Sequence, residues 1–343
     1  MRLARAAWAD LPTEELLDLR FCDLDLSLEG TWVQACIERL YAELAARDLH
    51  VRPHVWISEE WFSPDGIPGI AIPFYLVHPR LMRLERRLML QVEGGTREKC
   101  MMLLRHEAGH AVQHAFQVHR RRRWRTLFGS NAQPYPDFYW PRPGSRRFVQ
   151  HLDAWYAQSH PAEDFAETFA VWLNPRSRWR RRYAGWPALE KLAYVDTLMA
   201  GLAGAAPRVR RRARPDNLGC LRTTLREHYA EKRERYGGKF SEAYDQSLYA
   251  LFDAPGRAAR GARAETAATF LRRHRREIRD TVCKWTGEHA FTVDQVIKEM
   301  MYRCQALQLR AGGACAPLKL NLAVFLAAQT MHYLYRGGGW HAV

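Results

Sequence analysis

The chain has no pair of cysteines at CxxC spacing. Cys22, Cys36, Cys100, Cys220, Cys283, Cys304 and Cys315 are widely separated. That spacing excludes a zinc ribbon, and the odd number leaves at least one thiol unpaired within the chain. Reduced, mostly structural thiols in a cytosolic setting fit this pattern better than a disulfide scaffold. There is no apolar run long and uninterrupted enough to span a bilayer. The opening MRLARAAWADLPTEELL is basic at first, lacks a sustained apolar stretch and soon turns acidic. A secretory signal is therefore not expected, and a cytoplasmic location is. Acidic residues are in deficit: 37 Asp and Glu stand against 52 Lys and Arg, for a formal charge of +15. Lysine is scarce too, since most of the basic residues are Arg.

With 343 residues, 47% hydrophobic and 26% charged, the chain has the composition of a soluble globular protein of one large or two ordinary domains. The charge invites a nucleic-acid reading. The arginines are scattered, however, with local runs at Arg120–Arg123, Arg178–Arg182 and Arg208–Arg214. A solvated face accounts for any one run better than a nucleic-acid groove, so nucleic acid is not the favoured partner.

The chemistry concentrates in LLRHEAGHAVQHA, residues 103–115. His106 and His110 are one helical turn apart on the same face and can aim two imidazole nitrogens at one metal ion. Glu107 lies about 100° round from His106, within reach of a metal-activated water. This HExxH geometry is that of a zinc hydrolase. The alternative is a surface helix carrying the motif by chance. The segment from Cys100 to Phe116 is apolar round most of its circumference, which predicts a buried helix instead. Buried His and Glu side chains are costly unless paired or metal-bound.

A second constellation follows at SHPAEDFAETFA, residues 159–170. Pro161 suits the first turn of a helix. Glu163 and Glu167, at i and i+4, share a face, with Phe165, Phe169 and Trp172 opposite. Buried carboxylates of like charge need a cation nearby. One metal resolves both helices: Glu163 becomes the third protein ligand, and Glu167 accepts a hydrogen bond from the outer nitrogen of a ligand His, expected to be His106. Two His and one Glu leave a position for water, the mark of a catalytic zinc site. The competing reading has Glu163 offsetting the helix dipole and Glu167 in solvent. Asp164 points about 100° off the Glu163 face and is the weaker ligand. His114 would make a third imidazole in a straight row, which cannot close a tetrahedron. The extended HExxHxxGxxH pattern fails at Gln113 and Phe116.

These paired motifs, HEAGHAVQH and YAQSHPAEDFAETFAVWL, resemble those of the gluzincin metallopeptidases, and within them the bacterial zinc-binding metallopeptidases of the Mx type. Such proteins read HExGH and then SHPxEDWAET; here Phe165 stands where Trp is usual. Many of them carry an N-terminal zinc ribbon, which this chain lacks. The resemblance covers about residues 95–200. The 53-residue separation of His110 and Glu163 is closer to that of lethal-factor-type toxins than to that of thermolysin-like enzymes. The resemblance implies that His106, His110 and Glu163 bind Zn2+ and that Glu107 acts as general base. It also implies an oxyanion-stabilising side chain. Tyr156, seven residues before Glu163, has an offset similar to that of the toxin-type tyrosine, with Tyr139 and Tyr194 as competitors.

The expected fold is α+β, predominantly α-helical: a zincin-like metallopeptidase core with a small β-sheet and a helical C-terminal extension. Residues 1–95 form N-terminal helices and the sheet, and 96–205 the helical core with the zinc site. A helical pair at 206–253, a linker at 254–268 and a helical module at 269–343 follow. Strands are expected at 50–57 and 70–77. They either offer an edge to an extended peptide or are purely structural. The aromatic, proline-rich stretch 128–145 is expected to wall a substrate cleft. The expected activity is zinc-dependent hydrolysis of a peptide or related amide bond in a peptide or protein substrate. The rival is a non-catalytic or latent protein of the same fold that holds an acidic partner through its basic surface.

Overall fold

The computed structural model describes residues 7–236, 245–254, 265–334 and 340–341. A helix break expected at Gly237-Gly238 and all but the ends of the 254–268 linker lie outside the described residues. The described residues are mostly helical, with two small two-stranded sheets, the second of strands only two residues long. In order come α1 (Thr13–Leu17), α2 (Trp32–Ala45), β1 (His54–Ser58), β2 (Gly69–Pro73), α3 (Pro79–Met89), α4 (Arg97–Phe116), α5 (Arg122–Phe128), α6 (Pro161–Leu173), α7 (Trp179–Arg182) and α8 (Ala188–Ala200). Then follow α9 (Leu225–Tyr236), α10 (Asp245–Leu251), α11 (Ala267–Thr286), α12 (Ala290–Ala306) and α13 (Cys315–Tyr333). No helix among the described residues is long and apolar enough to cross a membrane. All seven cysteines are free thiols.

The chain divides into two compact units. The first comprises Met1–Leu88, Val92–His228 and His341–Val343; the second comprises Met89–Gln91 and Tyr229–Trp340. In the second unit, α11 packs on α12 and α13. Ile278, Val282, Val293, Ile297, Met300, Leu322 and Leu326 form its core. Asp294, buried in this unit, is held by Arg275.

Side-chain caps start the principal helices of the first unit. Thr31 caps α2 by accepting from the Gln34 N–H at 3.2 Å, and Val33, Ile37, Leu40 and Leu44 bury the helical stripe it starts. Thr96 caps α4 in the same way through the Lys99 N–H. From Leu103 to Phe116 every residue of α4 is buried, which removes the surface-helix alternative. Arg105 fixes α4 against α2 with two 2.7 Å hydrogen bonds to Glu43, a bidentate geometry that sets the rotation of the helix as well as its position. Helix α6 packs along α4, and Gly109 is the point of closest approach. A Cβ at 109 would stand 2.8 Å from the Ala166 Cα and 3.1 Å from its carbonyl oxygen.

The five-residue strands β1 and β2 form a parallel pair, with Val55 opposite Ile70 and Ile57 opposite Ile72. Both strands are shorter than their apolar runs, because proline cuts them: β1 begins after Pro53 and β2 ends at Pro73. The segment around 207–216, whose arginine run at 208–214 reads from sequence as a solvated face, is laid against this sheet. Its backbone donates from Arg208 and Val209 to the Ala115 carbonyl at the end of α4. Farther on, Trp56 Nε1 donates to the Pro215 carbonyl and Ser58 Oγ to that of Asp216. Because side chains alternate along a strand, residues 56 and 58 share the face that holds this strap. Of the helical pair expected at 206–253, the first helix begins only at Leu225. The intervening Asn217 side chain caps a short 3-10 turn, Leu218–Cys220.

Candidate metal centre

Helices α4 and α6 bring three donor atoms together inside the first unit. His106 Nε2 lies 2.9 Å from Glu163 Oε2, and His110 Nε2 lies 3.1 Å from the same oxygen. The two imidazole nitrogens are 3.2 Å apart. His106, His110 and Glu163 form the one cluster among the described residues with a metal ion's donor geometry. A tetrahedral ion with ligands at about 2.0–2.1 Å would have donor atoms roughly 3.3 Å from one another. The observed triangle is close to one face of that tetrahedron. Two nitrogens and one carboxylate oxygen also form a donor set that zinc accepts, so the residues present fit the ion that the sequence implied.

Electrostatics agree with a site for a cation. Burial works against the Glu163 carboxylate, but the two imidazoles outweigh it and hold its pKa well below the usual range. Burial likewise opposes charge on His106, yet its hydrogen bonds to Glu163 and Glu167 raise its pKa well above that of a free imidazole. The carboxylates of Glu163 and Glu167, gathered in the interior beside these imidazoles, make surroundings that a cation would balance.

Glu167 supports this arrangement from behind. Its Oε1 accepts from His106 Nδ1 at 2.8 Å, and its Oε2 accepts from the Leu152 N–H at 2.9 Å. Holding the proton on Nδ1 turns the Nε2 lone pair toward His110 and Glu163. Glu163 is 4% exposed and Glu167 1%, so neither is a solvated helix-face residue. Glu107 is buried with Oε2 lacking any hydrogen-bond partner. Burial raises its carboxyl pKa, although the charges of His106 and His110 pull it down. An unpartnered buried carboxylate oxygen beside a metal-shaped site is one that a water or substrate can satisfy.

Asp164 turns away from the donor cluster and pairs with Lys191 of α8. Burial nevertheless pushes its carboxyl up to about 7. Lys191→Met strands this carboxyl in the interior. The expected loss of unfolding free energy is about 3 kcal/mol, at the low end for a broken buried pair because Asp164 can take up a proton. Denaturant melts of the single variant and of Lys191→Met with Asp164→Asn measure it, and the second should recover most of the loss. His114 is likewise outside the cluster: its Nδ1 accepts from the Gly66 N–H at 3.2 Å. Burial lowers its pKa to about 4.

Residues 95–179 match the sequence model of a family described as "Putative zinc-binding metallo-peptidase". The match spans both helices of the donor cluster. No curated protein and no solved structure matches the chain.

The three tyrosines named from sequence have different surroundings. The Tyr156 ring lies 5.7 Å from that of His106. Burial, then the charge on Glu163, raises its pKa well above that of a free phenol, so it stays protonated. Ala154 and Trp155, both at positive φ, turn the chain immediately before it. Tyr139 donates to the Ala154 carbonyl at 2.9 Å and so braces this turn. Tyr194 packs against Phe128 and Arg123. Sequence reasoning missed Tyr135. Its hydroxyl donates to Glu163 Oε1 at 2.8 Å, although the residue is 49% exposed. The only signal was its place in the aromatic stretch expected to wall the site, since its distance in sequence from Glu163 follows no helical or strand spacing.

Proposed function

We propose that this protein is a zinc-dependent metallopeptidase with a zincin-like core of the gluzincin type. His106, His110 and Glu163 bind the metal, and the reaction is hydrolysis of a peptide or related amide bond. The observation that carries this reading is the convergence of two Nε2 atoms and one carboxylate oxygen beside a buried glutamate oxygen with no partner. A structural zinc site is closed by four protein ligands, whereas a three-ligand site leaves a position for chemistry.

Zinc held by these residues supplies Lewis acidity, lowering the pKa of water toward neutrality and polarising the scissile carbonyl. Glu107 accepts the proton of the attacking water and delivers it to the leaving amine, a role favoured by its raised pKa. Glu167 holds His106 in the tautomer that presents Nε2 to the metal. Tyr156, protonated beside His106, is placed to donate to the carbonyl oxygen as negative charge develops on it. The substrate is a peptide or protein.

Elemental mass spectrometry of the purified chain tests the metal assignment. About one zinc per wild-type molecule is expected, with Glu163→Ala folded but depleted of zinc. Zinc that is absent from the wild type, or indifferent to Glu163, would remove the three-ligand site. Stoichiometric zinc without hydrolysis of any peptide substrate would favour a non-catalytic protein of the same fold that binds an acidic partner.

A further inference from the structure

Tyr135 reaches the metal centre from a loop that has no local reason to be there. That loop is held to both metal-bearing helices. Asn131 Oδ1 accepts from Gln113 Nε2 of α4 at 2.9 Å. On the other side, His160, the N-cap of α6, accepts the Ala162 N–H on Nδ1, which puts its proton on Nε2. That Nε2 donates to the Gln133 carbonyl at 3.0 Å. With both ring nitrogens committed, the plane of the His160 ring is fixed. The Tyr135 ring stacks on it at 3.9 Å between centroids and 23° between planes. His160 and Glu163 are three residues apart, on the same turn of helix. One turn of α6 thus fixes both the ring of Tyr135 and the carboxylate that its hydroxyl meets.

The two oxygens of Glu163 are consequently not equivalent. Oε2 faces His106 and His110, while Oε1 is taken by the Tyr135 hydroxyl. We infer that Tyr135 is a positioning residue for metal binding, orienting Glu163 so that Oε2 alone is presented as the ligand atom and Oε1 is kept out of the coordination sphere. The inference rests on the metal-site reading above and extends it. A carboxylate free to rotate can offer either oxygen or both, and the tyrosine removes that freedom. Outer partners of metal ligands commonly account for about 10- to 100-fold in affinity. Because the ring is half exposed, the same residue links the position of the 129–135 loop to retention of the metal.

The test compares wild type, Tyr135→Phe and Tyr135→Ala in chelator-competition titrations with zinc and in the visible absorption spectrum with cobalt(II) as the probe metal. Phe keeps the stack on His160 and removes only the hydroxyl, so the metal-free protein should melt as the wild type does. A fall in zinc affinity of about 10- to 100-fold in Tyr135→Phe is expected. The cobalt d–d bands should shift in the same variant, reporting altered ligation by Glu163. Unchanged affinity and spectrum in Tyr135→Phe would overturn the inference, as would a loss seen only in Tyr135→Ala, which would assign the effect to ring packing. If even the wild type binds neither metal, the metal-site reading fails, and this inference with it.

Discussion

Glu107→Gln should leave zinc bound and reduce peptide hydrolysis by about 10²- to 10⁴-fold, the usual contribution of a positioned general base. Glutamine keeps the shape of the side chain but cannot accept a proton. Its position next to His106 in sequence, pointing about 100° away round the helix, keeps it out of the ligand set. Zinc content is therefore expected to match the wild type. Stability is an internal control. Burial raises the carboxyl pKa of Glu107 in the folded protein, so ionising it opposes folding, and a neutral amide should not lower the melting temperature of the metal-free protein. The assay is turnover of a peptide substrate alongside zinc content and a thermal melt. Full activity in a zinc-loaded Glu107→Gln protein would disprove the mechanism.

Gly109→Ala should cost both stability and metal. The added Cβ meets backbone, with the Ala166 Cα at 2.8 Å and its carbonyl oxygen at 3.1 Å. No rotamer change relieves that contact, so α6 has to move away from α4. Overpacking of this kind costs about 1–3 kcal/mol, or a melting temperature lower by roughly 2–4 °C per kcal/mol for a unit of this size. The same displacement carries Glu163 away from His106 and His110, so zinc affinity should fall although no ligand has been changed. Adding Ala166→Gly should recover little, because the nearest atoms belong to the main chain rather than to the alanine side chain. Thermal melts and zinc competition on the single and double variants measure both effects. A Gly109→Ala protein with wild-type zinc affinity would show that the close crossing of the two helices does not set the donor triangle.

The parts of the site that were legible in sequence are those that depend on short spacing. His106 and His110 share a face because 3.6 residues make a turn, and Glu163 and Glu167 share one for the same reason. Thr31, Thr96 and Pro161 mark helix starts through local hydrogen bonding and a fixed φ, so they too could be placed from sequence. Burial of α4 and α6 followed from their nearly unbroken apolar circumference. The expectation that Glu167 would meet His106 also came from spacing: a carboxylate one turn past Glu163 points to the same side.

Only the tertiary structure decided the contacts between segments with no common period. Tyr135 is 28 residues from Glu163 and reaches it through a loop fixed by Gln113 and His160. The arginine run at 208–214 looked like a solvated face because its charges carry the visible signal. Its position is set instead by backbone groups, which have no sequence signature. Gly109 could be seen as one glycine in a helix, but not as the point where α6 crosses. The sequence by itself determined which side chains could act together on each helix, because helical geometry is local. The meeting of the two helices, and the tyrosine that closes over their shared carboxylate, depend on long-range packing and were decided only in the fold.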